Sequence, residues 1–120
     1  MEWAVTETKK VAGTFLMASA AYVGEDILIC VQGGERPHLG CVVQAVPRLS
    51  LKGDGKAGAT SSVLNLTGHK DEFLCRRIAE RVCRDTGKVV VCTGGFHLDG
   101  ISEKEIREVL DAADRLLKKL

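Results

Sequence analysis

Lys88-Val89-Val90-Val91-Cys92, followed at once by Thr93-Gly94-Gly95, decides how this chain folds. Four consecutive apolar residues, three of them β-branched, suit a strand. An unbroken apolar run suits a central strand covered on both faces. Gly87, just before it, is the expected C′ stop of a helix over about 70–86. In that helix Leu74, Ile78 and Val82 recur every four residues beside Cys75, Ala79 and Cys83, and Arg76, Arg77, Glu80, Arg81 and Arg84 fall elsewhere on the wheel. Downstream, Ser102-Glu103-Lys104-Glu105 reads as a capping box opening a second helix over about 102–120. Its stripe is Ile106, Val109, Leu110, Ala113, Leu116, Leu117 and Leu120. Lys118 and Lys119 complement its C-terminal dipole.

Upstream the pattern is different. Residues 11–70 carry nine charges, whereas residues 71–120 carry twenty, ten of each sign. Short apolar runs broken by glycine predict strands near 3–10, 12–23, 26–33, 38–47 and 58–66, with the sixth near 88–94. Gly24-Glu25-Asp26 suits a hairpin turn, and Lys52-Gly53-Asp54-Gly55-Lys56 a surface loop. Strands first and helices later mean an α+β fold: a mainly antiparallel sheet of about six strands with two helices.

The 120 residues suit one domain. Such a chain buries about two-thirds of its unfolded surface, enough for one core. Lys plus Arg is 17 and Asp plus Glu is 16, so the net charge is +1, and no electrostatic case for nucleic acid or an anionic membrane arises. Aromatic residues are only 4%, which argues against a site of stacked rings. The five cysteines are odd in number, lack a C-x-x-C pair and sit among apolar neighbours, as core thiols in a reducing compartment do. Near the N-terminus Lys9-Lys10, an apolar stretch and Ala18-Ser19-Ala20 mimic a signal peptide. The interruption at Gly13-Thr14 and the acidic Glu2 and Glu7 favour a strand instead. No apolar run reaches the roughly 18 residues of a membrane span.

Four segments hold residue types that folding alone does not require. Gly33-Gly34-Glu35-Arg36-Pro37-His38-Leu39-Gly40 joins backbone freedom to a stiffened histidine. Ala57-Gly58-Ala59-Thr60-Ser61-Ser62-Val63-Leu64-Asn65 offers three successive hydroxyls to an anion or a polar ring edge. Thr67-Gly68-His69-Lys70-Asp71 lies where the first helix begins, a place that favours phosphate or carboxylate. Thr93-Gly94-Gly95-Phe96-His97-Leu98-Asp99-Gly100-Ile101 reads as a loop leaving the central strand, and such loops often bind ligands. Each also has a plain structural reading: hairpin loop, half-buried strand, helix cap and turn. Phosphate-loop and nucleophile-elbow patterns are missing. His38, His69 and His97 all fall in glycine-bearing segments at element ends, where convergence suits metal ligation or proton handling. The zinc spacings H-x-x-x-H and C-x-x-C are absent.

At these segments the chain resembles the prenylated-flavin chaperones, the small D-component proteins of hydroxyarylic-acid (gallate-type) decarboxylase systems. The strings GGERPHLGCVVQAVPRLSLKG (33–53), ATSSVLNLTGHKDEFLCRRIAE (59–80) and TGGFHLDGISEKEI (93–106) carry the resemblance, with PHLG, PR, ATSS, GHKD and HLD in the family's order. It covers roughly residues 2–118. It implies a fold similar to proteasome-assembly chaperones, usually paired as a homodimer. It implies a non-catalytic role in the cytoplasm: holding prenylated FMN, or FMN, and passing it to the catalytic subunit of a prenylated-FMN-dependent decarboxylase. The decarboxylases themselves are much larger. The ligand residues implied are Gly34, Pro37, His38, Arg48, Thr60, Ser61, Ser62, Asn65, Gly68, His69, Lys70 and His97.

We assign the phosphate tail to Gly68, His69 and Lys70, with Thr60, Ser61 and Ser62 as further donors and Arg48 as a second clamp. With few aromatics, one chain has little to enclose a flavin, so a two-fold interface is expected to supply a wall. Loops 33–40, 58–62, 67–71 and 93–100 would line two equivalent pockets. A divalent metal on His38, His69 or His97 is the alternative use of the imidazoles. Two other functions stay open: an assembly subunit that binds no cofactor, and a small enzyme with His38 or His69 as base beside Asp71 or Asp99.

Overall fold

A computed structural model describes residues 2–49, 53–65 and 71–118. Six strands and two helices lie among them: β1 (Val5–Val11), β2 (Thr14–Val23), β3 (Asp26–Gly34), β4 (Cys41–Leu49), β5 (Ala57–Asn65), α1 (Asp71–Thr86), β6 (Val90–His97) and α2 (Glu103–Leu117). The strands form one sheet in the order β1-β2-β3-β6-β4-β5. All neighbours are antiparallel except β3 and β6, which run parallel.

Local chemistry explains the hairpins. Val23 pairs with Asp26 across a two-residue turn in which Gly24 has a φ of 61°, as a II′ turn requires. Val11 pairs with Thr14 across Ala12 (φ 50°) and Gly13 (φ 72°), which makes a type I′ turn. Ser102 caps α2 with the full capping box: its hydroxyl accepts from the Glu105 amide, and the Glu105 carboxylate accepts from the Ser102 amide. The expected continuation of α2 to residue 120 falls partly outside the described residues.

Both helices cover the same face of the sheet. α1 packs on β4, β5 and β6, α2 packs on β1 and β2, and the helices touch each other. The core is one cluster. Leu16, Ile29, Val31, Val43, Val90 and Cys92 come from the sheet, Leu74, Ile78 and Val82 from α1, and Val109, Ala113 and Leu116 from α2. Arg77 makes a bidentate pair with Asp114, at 3.0 and 2.7 Å, and ties α1 to α2. That hydrogen bond holds the Asp114 carboxyl below its ordinary value.

The expectation that β6 is central holds, but helices cover only one of its faces. Val90 and Cys92 are fully buried beneath α1, while Val91 and Thr93 on the opposite face are half-buried. The single-sided arrangement follows from the connections: both helices begin after the sheet's first five strands are laid down, and both return to the same core. The other face is open and shows Phe15, Val42, Val46 and Leu64 to solvent.

Candidate functional site

The carboxyl ends of the parallel strands β3 and β6 meet at one end of the sheet, where Gly34 pairs with His97. The strand β6 runs through His97, so residues 93–97 are strand and not the loop that their glycines suggest. The two glycines serve close packing instead. Gly94 has a φ of 130° and lies against the Val31 backbone. Gly95 has an ordinary backbone and makes room on the open face for the His38 ring: a Cβ there would lie 2.7 Å from the ring's Cε1. Gly34, with a φ of 76°, sits against the backbone of His97, and the amide of Glu35 donates to the His97 carbonyl at 2.7 Å. Pro37 lies in the loop that carries His38 out from β3 and back over Gly95.

Four polar side chains gather there. His38 and His97 rings meet edge to face with centroids 6.3 Å apart. His38 Nδ1 donates to the Arg36 carbonyl at 3.1 Å, which places a proton on Nδ1. His97 Nε2 lies 2.7 Å from an Asp99 carboxylate oxygen, so that nitrogen carries the proton and donates. The Arg36 Nη2 stands 3.2 Å from the same nitrogen and 3.6 Å from Asp99. The hydrogen bond from His97, its charge and the nearby guanidinium hold the Asp99 carboxyl below its ordinary value. Glu35 accepts from the Asp99 amide at 3.2 Å and ties the two loops together. Arg36 and Asp99 are 72% and 70% exposed and His97 40%, so the cluster faces solvent and is open to a ligand.

The remaining candidates do not join this cluster within one chain. Arg48 lies at the opposite end of the open face, donating Nε to Thr60 Oγ1 at 2.9 Å and Nη1 to the Leu49 carbonyl at 3.0 Å. The three successive hydroxyls do not act together, because strand alternation divides them. Thr60 and Ser62 share the open face with Arg48 and Gln44, whereas Ser61 turns to the helices and donates to Glu80 at 2.7 Å. Asn65 also faces the helices, donating to Glu72 at 2.8 Å. Gly68, His69 and Lys70 lie outside the described residues. Among the described residues no group of three or more His, Cys, Asp and Glu is placed to hold a metal ion.

Sequence reading missed Arg36, Gly95 and Glu35 as site residues and gave Asp99 only a helper's place. The signals were present. Arg36 stands between Gly34 and Pro37, and the His97-x-Asp99 spacing lets a chain leaving a strand fold its carboxylate back on the ring. Burial pushes the Cys30 and Cys83 thiols up, away from the reactive thiolate. No helix among the described residues is long and apolar enough to cross a membrane.

Comparison with known proteins adds three findings. The model of the "prenylated flavin chaperone LpdD-like domain" matches residues 10–120. The protein LpdD of Lactiplantibacillus plantarum is 29% identical over 119 residues, spanning 96% of this chain and 81% of LpdD. A solved structure, a chaperone complex for yeast 20S proteasome assembly, superposes with a TM-score of 0.49 at 16% identity, over 96% of this chain and 95% of that one.

Proposed function

The chain belongs to the LpdD-like prenylated flavin chaperone family, and from that premise we propose that it binds prenylated FMN and delivers it to the catalytic subunit of a hydroxyarylic-acid decarboxylase. The observation that supports this reading is the cluster of Arg36, His38, His97 and Asp99 around Gly95, at the end of an open, largely uncharged sheet face. The residues fit the group. Phosphate needs charge-assisted donors, which Arg36 supplies directly and His38 and His97 supply through their second ring nitrogens when the imidazoles are protonated. A flat flavin ring needs an apolar surface, which Val91 and Val42 supply on the open face beside the cluster. Gly68, His69 and Lys70 remain further candidates for the phosphate.

The cofactor, when bound, carries the chemistry used by the decarboxylase; this chain's residues bind and orient it. Arg36 and the two imidazoles hold the anionic end, Asp99 fixes the His97 ring, and Glu35 fixes the loop that carries Asp99. The exposure of the cluster suits release to a partner, since a carrier must let go. Cysteines that form no disulfide suit the cytoplasm, and in this reading the chain acts as a homodimer. The open apolar face also favours a second reading, an assembly subunit that clamps the decarboxylase without a cofactor.

Anaerobic titration with reduced prenylated FMN tests the reading. A spectral change and co-elution on gel filtration are expected, and both should weaken in His38→Ala and His97→Ala. Absence of binding by the wild-type protein overturns it. Intact partner activation by the two variants would support the assembly reading instead.

A further inference from the structure

The helices cover one face of the sheet but leave a gap in it. α1 packs on β4, β5 and β6, and α2 on β1 and β2, so β3 lies under the seam between them. The helices are tied where Arg77 and Arg81 meet Asp114. Beyond that point α1 runs on to Thr86, whereas α2 is in its last turn. A cavity of about 320 Å³ opens there. Its floor is Ala20, Ile27 and Ile29, and its walls are Val82 of α1 and Leu117 of α2. Ala20, Ile27 and Leu117 are only partly buried, so apolar surface is left for something else to cover.

Charge gathers at the mouth, where Arg81, Lys88 and Lys118 stand with a single carboxylate, Asp85. Most polar groups there already have partners. Arg81 lies 3.8 Å from Asp85 and 3.6 Å from Asp114. The Thr86 hydroxyl donates to the Val82 carbonyl at 2.7 Å and accepts from the Lys88 amide at 3.3 Å. Asp26, close by, accepts from the Val89 amide at 3.1 Å. The two ammonium groups are different. Among the described residues no carboxylate lies within ion-pair distance of Lys88 or Lys118. Lys118 helps to hold the Asp114 carboxyl down, but from beyond that distance. Lys88 is half-buried, and its ammonium stands 5.4 Å from the centre of the Tyr22 ring, which also lines the cavity. Lysine stems of this kind can hold charge over an apolar seat.

We propose that this cavity binds a small carboxylic acid whose apolar body is about the size of one ring, with the body on Ala20, Ile27 and Val82 and the carboxylate at the mouth, toward Lys88 and Lys118. Volume sets the body. An apolar cavity of about 150 Å³ admits benzene. The 320 Å³ here leaves room for a ring and its head group. That is the small end of ligand pockets, which run from about 300 to 1,000 Å³. Charge sets the head, because a carboxylate gives both ammonium groups a charge-assisted acceptor. A neutral ligand leaves them unmatched, and a cation is repelled by them. The cavity is separate from the cluster at His97. Ile27 pairs with Val90 and Gly34 with His97, seven residues of strand or about 23 Å apart, and the cluster lies on the other face of the sheet. The inference therefore stands apart from the cofactor role proposed above.

Titration of the full chain with sodium benzoate at neutral pH, read from backbone amide shifts, tests the site. Saturable shifts are expected at Tyr22, Ile27, Val82 and Leu117, with a Kd of about 1 mM or below, within reach of a ligand this small. Benzyl alcohol, which keeps the ring and lacks the charge, should bind at least about fivefold more weakly, and benzylamine more weakly still. Lys88→Gln should weaken benzoate by at least about fivefold and leave benzyl alcohol unchanged. Ala20→Leu, which fills the floor, should remove the binding of both. The Lys88→Gln chain changes only a side chain at the mouth, so it decides the matter even where the Ala20→Leu chain does not fold. No saturable shift in the wild-type protein, or shifts centred on His38 and His97 instead, overturns the site. Equal affinity for benzoate and benzyl alcohol, or tighter binding of benzylamine, overturns the assignment of a carboxylate.

Discussion

Replacing Gly95 by alanine separates the site from the fold. The backbone there is ordinary, so the added methyl costs no strain of its own. It would stand 2.7 to 3.0 Å from three atoms of the His38 ring, where carbon contacts normally begin near 3.5 Å. The ring must retreat by about 1 Å, and its 3.1 Å hydrogen bond to the Arg36 carbonyl is lost or stretched. That loss is about 1 kcal/mol, and the lower chain entropy of unfolded alanine returns about half of it. The melting temperature should therefore move by only about 2–4 °C. Binding should suffer more, because a hydrogen bond to a charged group is worth about 1.5–3 kcal/mol, or roughly ten- to a hundredfold in Kd. Gly94→Ala is the control. Its φ is 130° and its methyl would fall on the Val31 carbonyl in the central parallel pair, so a loss of about 4 kcal/mol or more is expected. Thermal melts by circular dichroism and flavin titration read both variants. Gly95→Ala protein that folds and binds as tightly as wild type would refute the place given to His38.

Other expectations follow from single contacts. Ser102→Ala should destabilise the protein by about 1 kcal/mol in a denaturant titration, through loss of the α2 cap. Ala12→Gly should stabilise it by about 0.5–1 kcal/mol in the same assay, since Ala12 has a φ of 50°. Asp114 titrates below its unfolded value of about 3.9, so its pairing with Arg77 stabilises fully above that pH and is lost as pH falls through the lower folded value. Asp114→Asn should cost about 0.5–1 kcal/mol at pH 7 and remove that part of the acid dependence, as read from urea midpoints against pH.

The elements were legible where local periodicity sets them. Leu74, Ile78 and Val82 marked the buried stripe of α1, Ser102 and Glu105 the start of α2, and Gly24 the β2–β3 hairpin. Which strands pair is a non-local matter, and nothing near Ile27 or Val90 announces that β3 and β6 run side by side in parallel. The double glycine at 94–95 looked like a turn because glycine suits turns. Here it serves close approach inside a strand, against Val31 on one face and His38 on the other. The hydroxyls at 60–62 looked like one anion cradle until alternation sent Ser61 to Glu80. Of the three histidines expected to converge, His38, His69 and His97, the first and last do meet, one from the loop after β3 and the other from the end of β6, while His69 lies outside the described residues. Arg48, assigned to the same site, lies at the far end of the sheet, bonded to Thr60 and the Leu49 carbonyl.

The most direct measurement is cofactor transfer. The protein loaded with reduced prenylated FMN is mixed anaerobically with a decarboxylase of the hydroxyarylic-acid class in its apo form, and activity is followed against cofactor lost from the small chain. The account predicts that activity appears in step with that loss and faster than with free cofactor, and that the His38→Ala protein gives no such advantage. Reconstitution at the same rate with and without the protein would contradict it.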